Sequence, residues 1–92
     1  MKTEFMTIPE NFSVNEASKF RETTYALLKE SPVSFELDFS KCQFIDSTGL
    51  GVLVGLYKKC VEFGGTVVLT HLSSNVDSVI RMTRLDQIFT IK

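Results

Sequence analysis

The stretch FIDSTGLGVLVG, residues 44–55, sets Asp46, Ser47 and Thr48 directly before three glycines, Gly49, Gly51 and Gly55. Two kinds of chemistry use such a pattern. A glycine-rich turn between a strand and a helix can cradle a phosphate on bare backbone N–H groups. A hydroxyl held out at a helix start can instead be modified by another protein. The dinucleotide version of the first needs an acidic residue at the end of the next strand, about 20 residues on. The next strand candidate, TVVLTHL at 66–72, ends in Thr70, His71 and Leu72 without an acid. Asp46 and Ser47 also have the character of a helix cap, which puts the glycines inside the helix. No GxxxxGK[ST] run exists, so a P-loop is excluded.

Three glycines in one helix each cost up to ~1 kcal/mol against alanine. At about 100° per residue, Gly51, Gly55, Lys58 and Glu62 form one stripe, with Thr48 and Lys59 beside it. Leu50, Leu53, Val54, Leu56, Tyr57, Cys60, Val61 and Phe63 occupy the opposite side and are expected on the sheet. The glycines share the polar stripe. Two readings use their missing side chains: close packing against a neighbouring helix, or a flat strip where a partner's backbone approaches.

Asp46, Ser47 and Thr48 are explained as caps for free N–H groups. A phosphate on Ser47 would face those same N–H groups and the positive end of the helix. It would add roughly −1.5 to −2 charges beside Asp46. Such a change keeps the fold and alters the surface. Physics permits this reading without selecting it. Thr48 is the second candidate acceptor, with capping its simpler role.

The elements that must position these residues follow from periodicity. TEFMTI at 3–8 is a short strand. Ser13 with Glu16 reads as a capping box opening a helix to about Lys29, with Ala17, Phe20, Thr24 and Leu27 on one face. Pro32 blocks further helix. Val33, Phe35, Leu37 and Phe39 alternate with Ser34, Glu36 and Asp38, the pattern of a strand with one apolar face. QFI at 43–45 leads to Asp46, and the central helix spans about Thr48 to Phe63, closed by Gly64 and Gly65. A buried strand at 66–72 follows, then a turn and a helix from Val76 to about Ile88 with Val76, Val79, Ile80, Thr83 and Ile88 inward. FTIK at 89–92 adds a last strand. This alternation predicts an α/β layer fold with a largely parallel sheet.

At 92 residues the chain is expected to form one small domain, 1–92, without repeats or linkers. Ten Lys+Arg against eleven Asp+Glu give a net charge of −1, so no basic excess attracts nucleic acid or an anionic membrane. No apolar run approaches the ~20 residues that span a bilayer, and the first residues lack a signal-peptide core. Cys42 and Cys60 lack metal or redox spacing and read as buried free thiols in a reducing cytoplasm. His71, the single histidine, has no evident second ligand and reads as a strand-end residue.

Residues 37–69, LDFSKCQFIDSTGLGVLVGLYKKCVEFGGTVVL, resemble the STAS-domain family, in particular the bacterial anti-sigma factor antagonists. The family signature is a strand ending in LD[LF]S, then F-[IM]-D-S-[ST]-G-L-G, an apolar helix, Gly-Gly and another strand. Here it reads Asp38-Phe39-Ser40, then Phe44 through Gly51. The tail SSNVDSVIRMTRLDQIF is similar to the family's last helix. The resemblance implies a small STAS-type α/β domain, with a mixed, largely parallel sheet of about four strands and about three helices. It implies a switch protein, not an enzyme, in which Ser47 matches the phosphorylated serine. The unphosphorylated antagonist binds an anti-sigma factor that is also a serine kinase, and so frees the sigma factor. A PP2C-type phosphatase dependent on manganese or magnesium removes the phosphate. Metal and ATP belong to those partners, and no cofactor is implied for this chain.

The partner-binding surface expected from this resemblance comprises Asp46, Ser47, Thr48, Gly49, Gly51, Gly55, Lys58 and Lys59. The two lysines are otherwise a solvated face. Asp38, at a strand end pointing toward the Ser47 loop, either supports that loop or is solvated. The chain departs from the family in four ways. It begins with barely one strand where two usually precede the first helix. Ser13 stands where an acidic residue is usual, and Arg84 replaces a glycine. No helix follows the last strand. An exposed sheet edge would then be covered by a partner or by homodimerisation. Competing readings are a STAS module in a non-sigma or lipid-transport assembly, and a small enzyme or ligand binder.

Overall fold

The computed structural model describes residues 2–29 and 32–92. Its main sheet contains β1 (Lys2–Thr7), β3 (Val33–Asp38), β5 (Thr66–Thr70) and β6 (Thr90–Ile91), side by side in chain order. Every neighbouring pair is parallel. Right-handed crossovers between successive parallel neighbours return each connecting helix to the same face. Burial agrees with that rule. Val33, Phe35, Leu37, Val67 and Leu69 are buried on one face, while Ser34, Glu36, Asp38, Val68 and Thr70 on the other are only half-buried.

Three helices cover the apolar face: α1 (Val14–Leu28), α2 (Ser47–Glu62) and α3 (Ser74–Met82). Ala17, Phe20 and Leu28 of α1, Leu53, Leu56 and Cys60 of α2, and Val76 and Ile80 of α3 enter one core. Leu27, expected inward, is half-buried, and Leu28 takes its place. Thr24 is fully buried, and its hydroxyl donates to the Phe20 carbonyl at 2.9 Å, which satisfies it. Both cysteines are buried and free; burial pushes the Cys60 thiol up to about 11 and raises that of Cys42 as well.

Two strands, not one, precede the first helix. The second, β2 (Asn11–Phe12), pairs in parallel with β4 (Phe44–Ile45) in a small separate sheet. The capping box expected at Ser13 and Glu16 does not form, because Ser13 makes no side-chain cap bond. Entry into α1 is fixed instead by β2, whose buried Phe12 ring meets Phe20 edge-on at 5.2 Å.

Helix α2 starts and stops where its caps predict. Gly64 adopts φ +83°, and the Gly65 N–H reaches back to the Cys60 carbonyl at 2.6 Å. Val61 and Phe63, expected on the sheet, are 52% and 46% exposed. The buried arc is centred on Leu53, Leu56 and Cys60; Val61 falls well off it, and Phe63 lies past the last helical residue.

The last helix is shorter than expected. It stops at Met82, the chain turns through Arg84 at φ +62°, and a 3₁₀ turn spans Leu85–Gln87. At Thr83 the hydroxyl bonds back to the Val79 carbonyl at 2.7 Å, closing the final turn. Thr83 and Ile88 are therefore exposed, and Phe89 fills the core, edge-on to Tyr57 at 5.6 Å.

Arginine in the left-handed region costs roughly 1–2 kcal/mol relative to glycine. Arg84→Gly should raise stability by about 0.5–1 kcal/mol, less than the full penalty because glycine also loosens the unfolded chain. Urea denaturation monitored by circular dichroism reads this as a higher midpoint at unchanged slope.

Candidate functional site

The small β2–β4 sheet delivers the chain to α2. It is anchored by the N–H groups of Gln43 and Phe44, which both donate to the Glu10 carbonyl, at 2.9 and 3.1 Å. Asp46 follows β4 as the N-cap, in extended conformation, and its Oδ1 accepts the Gly49 N–H at 2.9 Å. Its carbonyl accepts the Leu50 N–H at 3.0 Å. Ser47 and Thr48 are then the first two helical residues, and both are exposed. Among the described residues, no group bonds either hydroxyl. The first turn carries no acidic residue, so Asp46 is the negative group nearest the helix end. An anion on Ser47 would meet N–H groups that Asp46 leaves free.

The glycines separate into different roles. Gly49 is buried, and a Cβ there would overlap the Phe12 carbonyl and stand 2.9 Å from an Ile45 carbon. It lies on the core-facing arc of α2 with Leu53 and Leu56, not on the polar stripe, so it belongs to no accessible strip. At Gly55 a Cβ would lie 3.0 Å from the Tyr25 hydroxyl, which is packing against α1. Gly51 is exposed with open space around it. Of the expected strip, only Gly51 combines bareness with access.

Lys58 and Lys59 are exposed, but the eleven residues from Ser47 to Lys58 place them roughly 16 Å along the helix. Lys59 is engaged at home, its ammonium 5.7 Å from the centre of the Tyr25 ring.

Asp38 makes its bonds within the turn after β3 and to His71, with none to Ser47. Its Oδ1 accepts the Ser40 N–H at 2.8 Å and lies 3.4 Å from His71 Nδ1. The carboxylate thus holds the turn after β3. His71 is exposed at the end of β5 with φ +57°.

A feature the sequence reading passed over lies beside the cap. Phe44 is 52% exposed, because Ile45 takes the inward position of the two-residue β4. With Gln43, Ile45, Asn75, Val76 and Val79 it lines a groove of about 200 Å³ between β4 and α3. Ser73 fixes α3 there, donating to the Cys42 carbonyl at 3.2 Å and accepting the Val76 N–H at 3.3 Å. The signal was parity: in an extended pair, one of two adjacent apolar residues must face out.

The family model for the STAS domain matches residues 4–92. The chain belongs to the STAS domain family. It is 30% identical over 76 residues to the anti-sigma-B factor antagonist of Listeria monocytogenes, a match spanning 83% of this chain and 67% of that protein. The anti-sigma-B factor antagonist of Listeria innocua matches to the same extent. Among solved structures, a Thermotoga maritima protein described as an anti-sigma factor antagonist has a TM-score of 0.77 at 27% identity in its crystal structure, covering 98% of this chain and 72% of that one. Its NMR structure gives 0.86 at 26%, covering 98% and 73%. A Planctomyces limnophilus STAS domain protein shares the fold, with a TM-score of 0.78 at 20% identity over 92% of this chain and 77% of that one.

Two predictions test this geometry. Gly49→Ala should destabilise by about 1–3 kcal/mol through overpacking, whereas Gly51→Ala should be neutral or stabilise by up to ~1 kcal/mol; equal effects in chemical denaturation would contradict the assignment. The second concerns Asp38, whose carboxyl is held below its ordinary range, first by the Ser40 N–H and hydroxyl and then by the charges of His71 and Lys41. A folded pKa below the unfolded value gives stability that is present above the unfolded pKa and lost as pH falls through the folded one. Acid titration of stability should therefore show an Asp38 contribution disappearing below about pH 4, and Asp38→Asn should remove it.

Proposed function

We propose that this chain is an anti-sigma factor antagonist switched by phosphorylation of Ser47, acting as one STAS unit in the cytoplasm. In its unphosphorylated form it binds an anti-sigma factor with serine-kinase activity, which then releases its sigma factor. Phosphorylation by that kinase ends the binding, and a PP2C-type phosphatase restores it. The observation that carries this reading is the unbonded, exposed Ser47 hydroxyl at the start of a helix already capped by Asp46.

The physical logic is specific to that position. Since Asp46 supplies the cap, α2 does not depend on the Ser47 hydroxyl. A phosphate there is accommodated by the helix end and leaves the fold intact. It places close to two negative charges beside Asp46, where a docked surface would have to be desolvated. A docking face that accepts a neutral hydroxyl opposes such a group unless cations meet it. The half-exposed Phe44 and its groove provide adjacent apolar area, of the kind that anchors interfaces. Thr48, exposed one residue on, is the second acceptor in this proposal.

The names of its relatives as antagonists of anti-sigma factors support a regulatory reading, in which the enzymatic steps of the cycle fall to the partners. The test is binding of the cognate anti-sigma kinase, measured by calorimetry. Ser47→Ala should bind like the unmodified protein and resist phosphorylation. Ser47→Asp should keep the same melting temperature within a few degrees and lose at least about tenfold in affinity. A Ser47→Asp variant that binds as tightly as the parent, together with phosphate transfer to some other residue, would sink the proposal.

A further inference from the structure

Strand β1 is an edge of the main sheet, pairing with β3 alone. The Ile8 N–H donates to the Asp38 carbonyl at 2.9 Å, which fixes the parity of the strand: Glu4, Met6 and Ile8 direct their backbone groups at β3. Thr3, Phe5 and Thr7 therefore direct theirs outward. Among the described residues, none of those outward groups has a backbone partner. The side chains of the same three residues share the uncovered face of the sheet, and Phe5 is 74% exposed there.

We infer that this edge pairs with β1 of a second copy, antiparallel, about a twofold axis through Phe5. The parity admits this register. In a twofold parallel pair each residue would stand opposite itself, so outward groups would oppose outward groups, whereas parallel ladders require them offset by one residue. In the antiparallel pair centred on Phe5, Phe5 faces Phe5 and Thr3 faces Thr7 in both directions. Each of these facing pairs exchanges two backbone hydrogen bonds, and every outward group finds a partner.

The side chains fit the same register. On the open face the contacts are one aromatic pair flanked by two threonine pairs, combinations that favour cross-strand pairing. On the helix-covered side Glu4 faces Met6 and Lys2 faces Ile8, so like charges are nowhere directly opposed. Glu4 is already held by Lys2 of its own strand at 3.0 Å. The interface is isologous and closes at two copies. It rests on one short strand from each copy, the scale of a weak, transient interface, so the dimer forms reversibly.

Sedimentation equilibrium and amide hydrogen exchange of the full chain test this together. The expected result is a monomer–dimer equilibrium in which the Thr3, Phe5 and Thr7 amides slow with concentration, about tenfold once nine-tenths of the chain is dimeric. Phe5→Lys and Thr7→Pro should each shift the equilibrium to monomer with the circular dichroism spectrum unchanged. Phe5→Lys replaces an exposed side chain, and Thr7→Pro removes only an outward N–H. A chain that stays monomeric to about 1 mM, a dimer indifferent to both variants, or protection that rises at other amides instead would each overturn the inference.

Discussion

The Phe12 carbonyl occupies the space that a side chain at residue 49 would take. That contact joins three elements at one point: β2, which carries Phe12, β4, which ends at Ile45, and the first turn of α2. Because Gly49 is bare, α2 can begin directly beneath the small sheet, and Asp46 can reach the Gly49 N–H from its cap position. A larger residue would push the helix start away from Phe12 and lengthen or break that bond. The exposure of Ser47 and Thr48 follows from the same seating. With Gly49 turned inward, the two preceding helical residues, at ~100° steps, point away from the core.

The cap and the candidate switch are therefore separable. Asp46 satisfies one of the free N–H groups, and the others stay available at the surface. A group added at Ser47 has no helix bond to displace. Its effect falls on whatever docks at that end of α2 and on the neighbouring Phe44 groove. That groove is held from its other wall by Ser73, which bonds both the Cys42 carbonyl and the first turn of α3. The start of α3 thus borders the apolar depression, and β4, which forms the other wall, leads directly into the start of α2.

Strand and helix order were legible because burial enforces period. Val33, Phe35 and Leu37 alternate with half-buried polar residues, and the pattern in the chain is the pattern in the fold. The position of Ser47 was legible because Asp46 must cap something. The misread places are those where tertiary contact decides. Ser13 has the residue type of a cap, yet Phe12 fixes the helix entry through packing that no local pattern records. Gly49 looked like its neighbours Gly51 and Gly55, but its neighbour in space is a carbonyl 37 positions earlier in the chain. Helicity beyond Met82 was predicted from apolar spacing, whereas Arg84 turns the chain through the left-handed region. Two-residue strands such as β2 and β4 are too short to have a period at all.

The architecture also keeps its surfaces apart. Sequential parallel pairing puts every helix on one side of the sheet, so the candidate switch, built on α2 and the small β2–β4 sheet, belongs to the helical layer. The opposite face is a plain of Thr, Ser and acidic side chains interrupted by Phe5 and Val68, and the β1 edge runs along its border. Charge placed at Ser47 is separated from that edge by the packed core and screened by solvent within about 10 Å. Association through β1 and recognition at Ser47 can then coexist on one molecule without either altering the other. A twofold pair would offer two independent docking faces, each able to carry its own phosphate. Coupling between them would require a two-state element spanning the sheet, across a core in which Phe35, Leu37, Leu53 and Leu69 are fully buried.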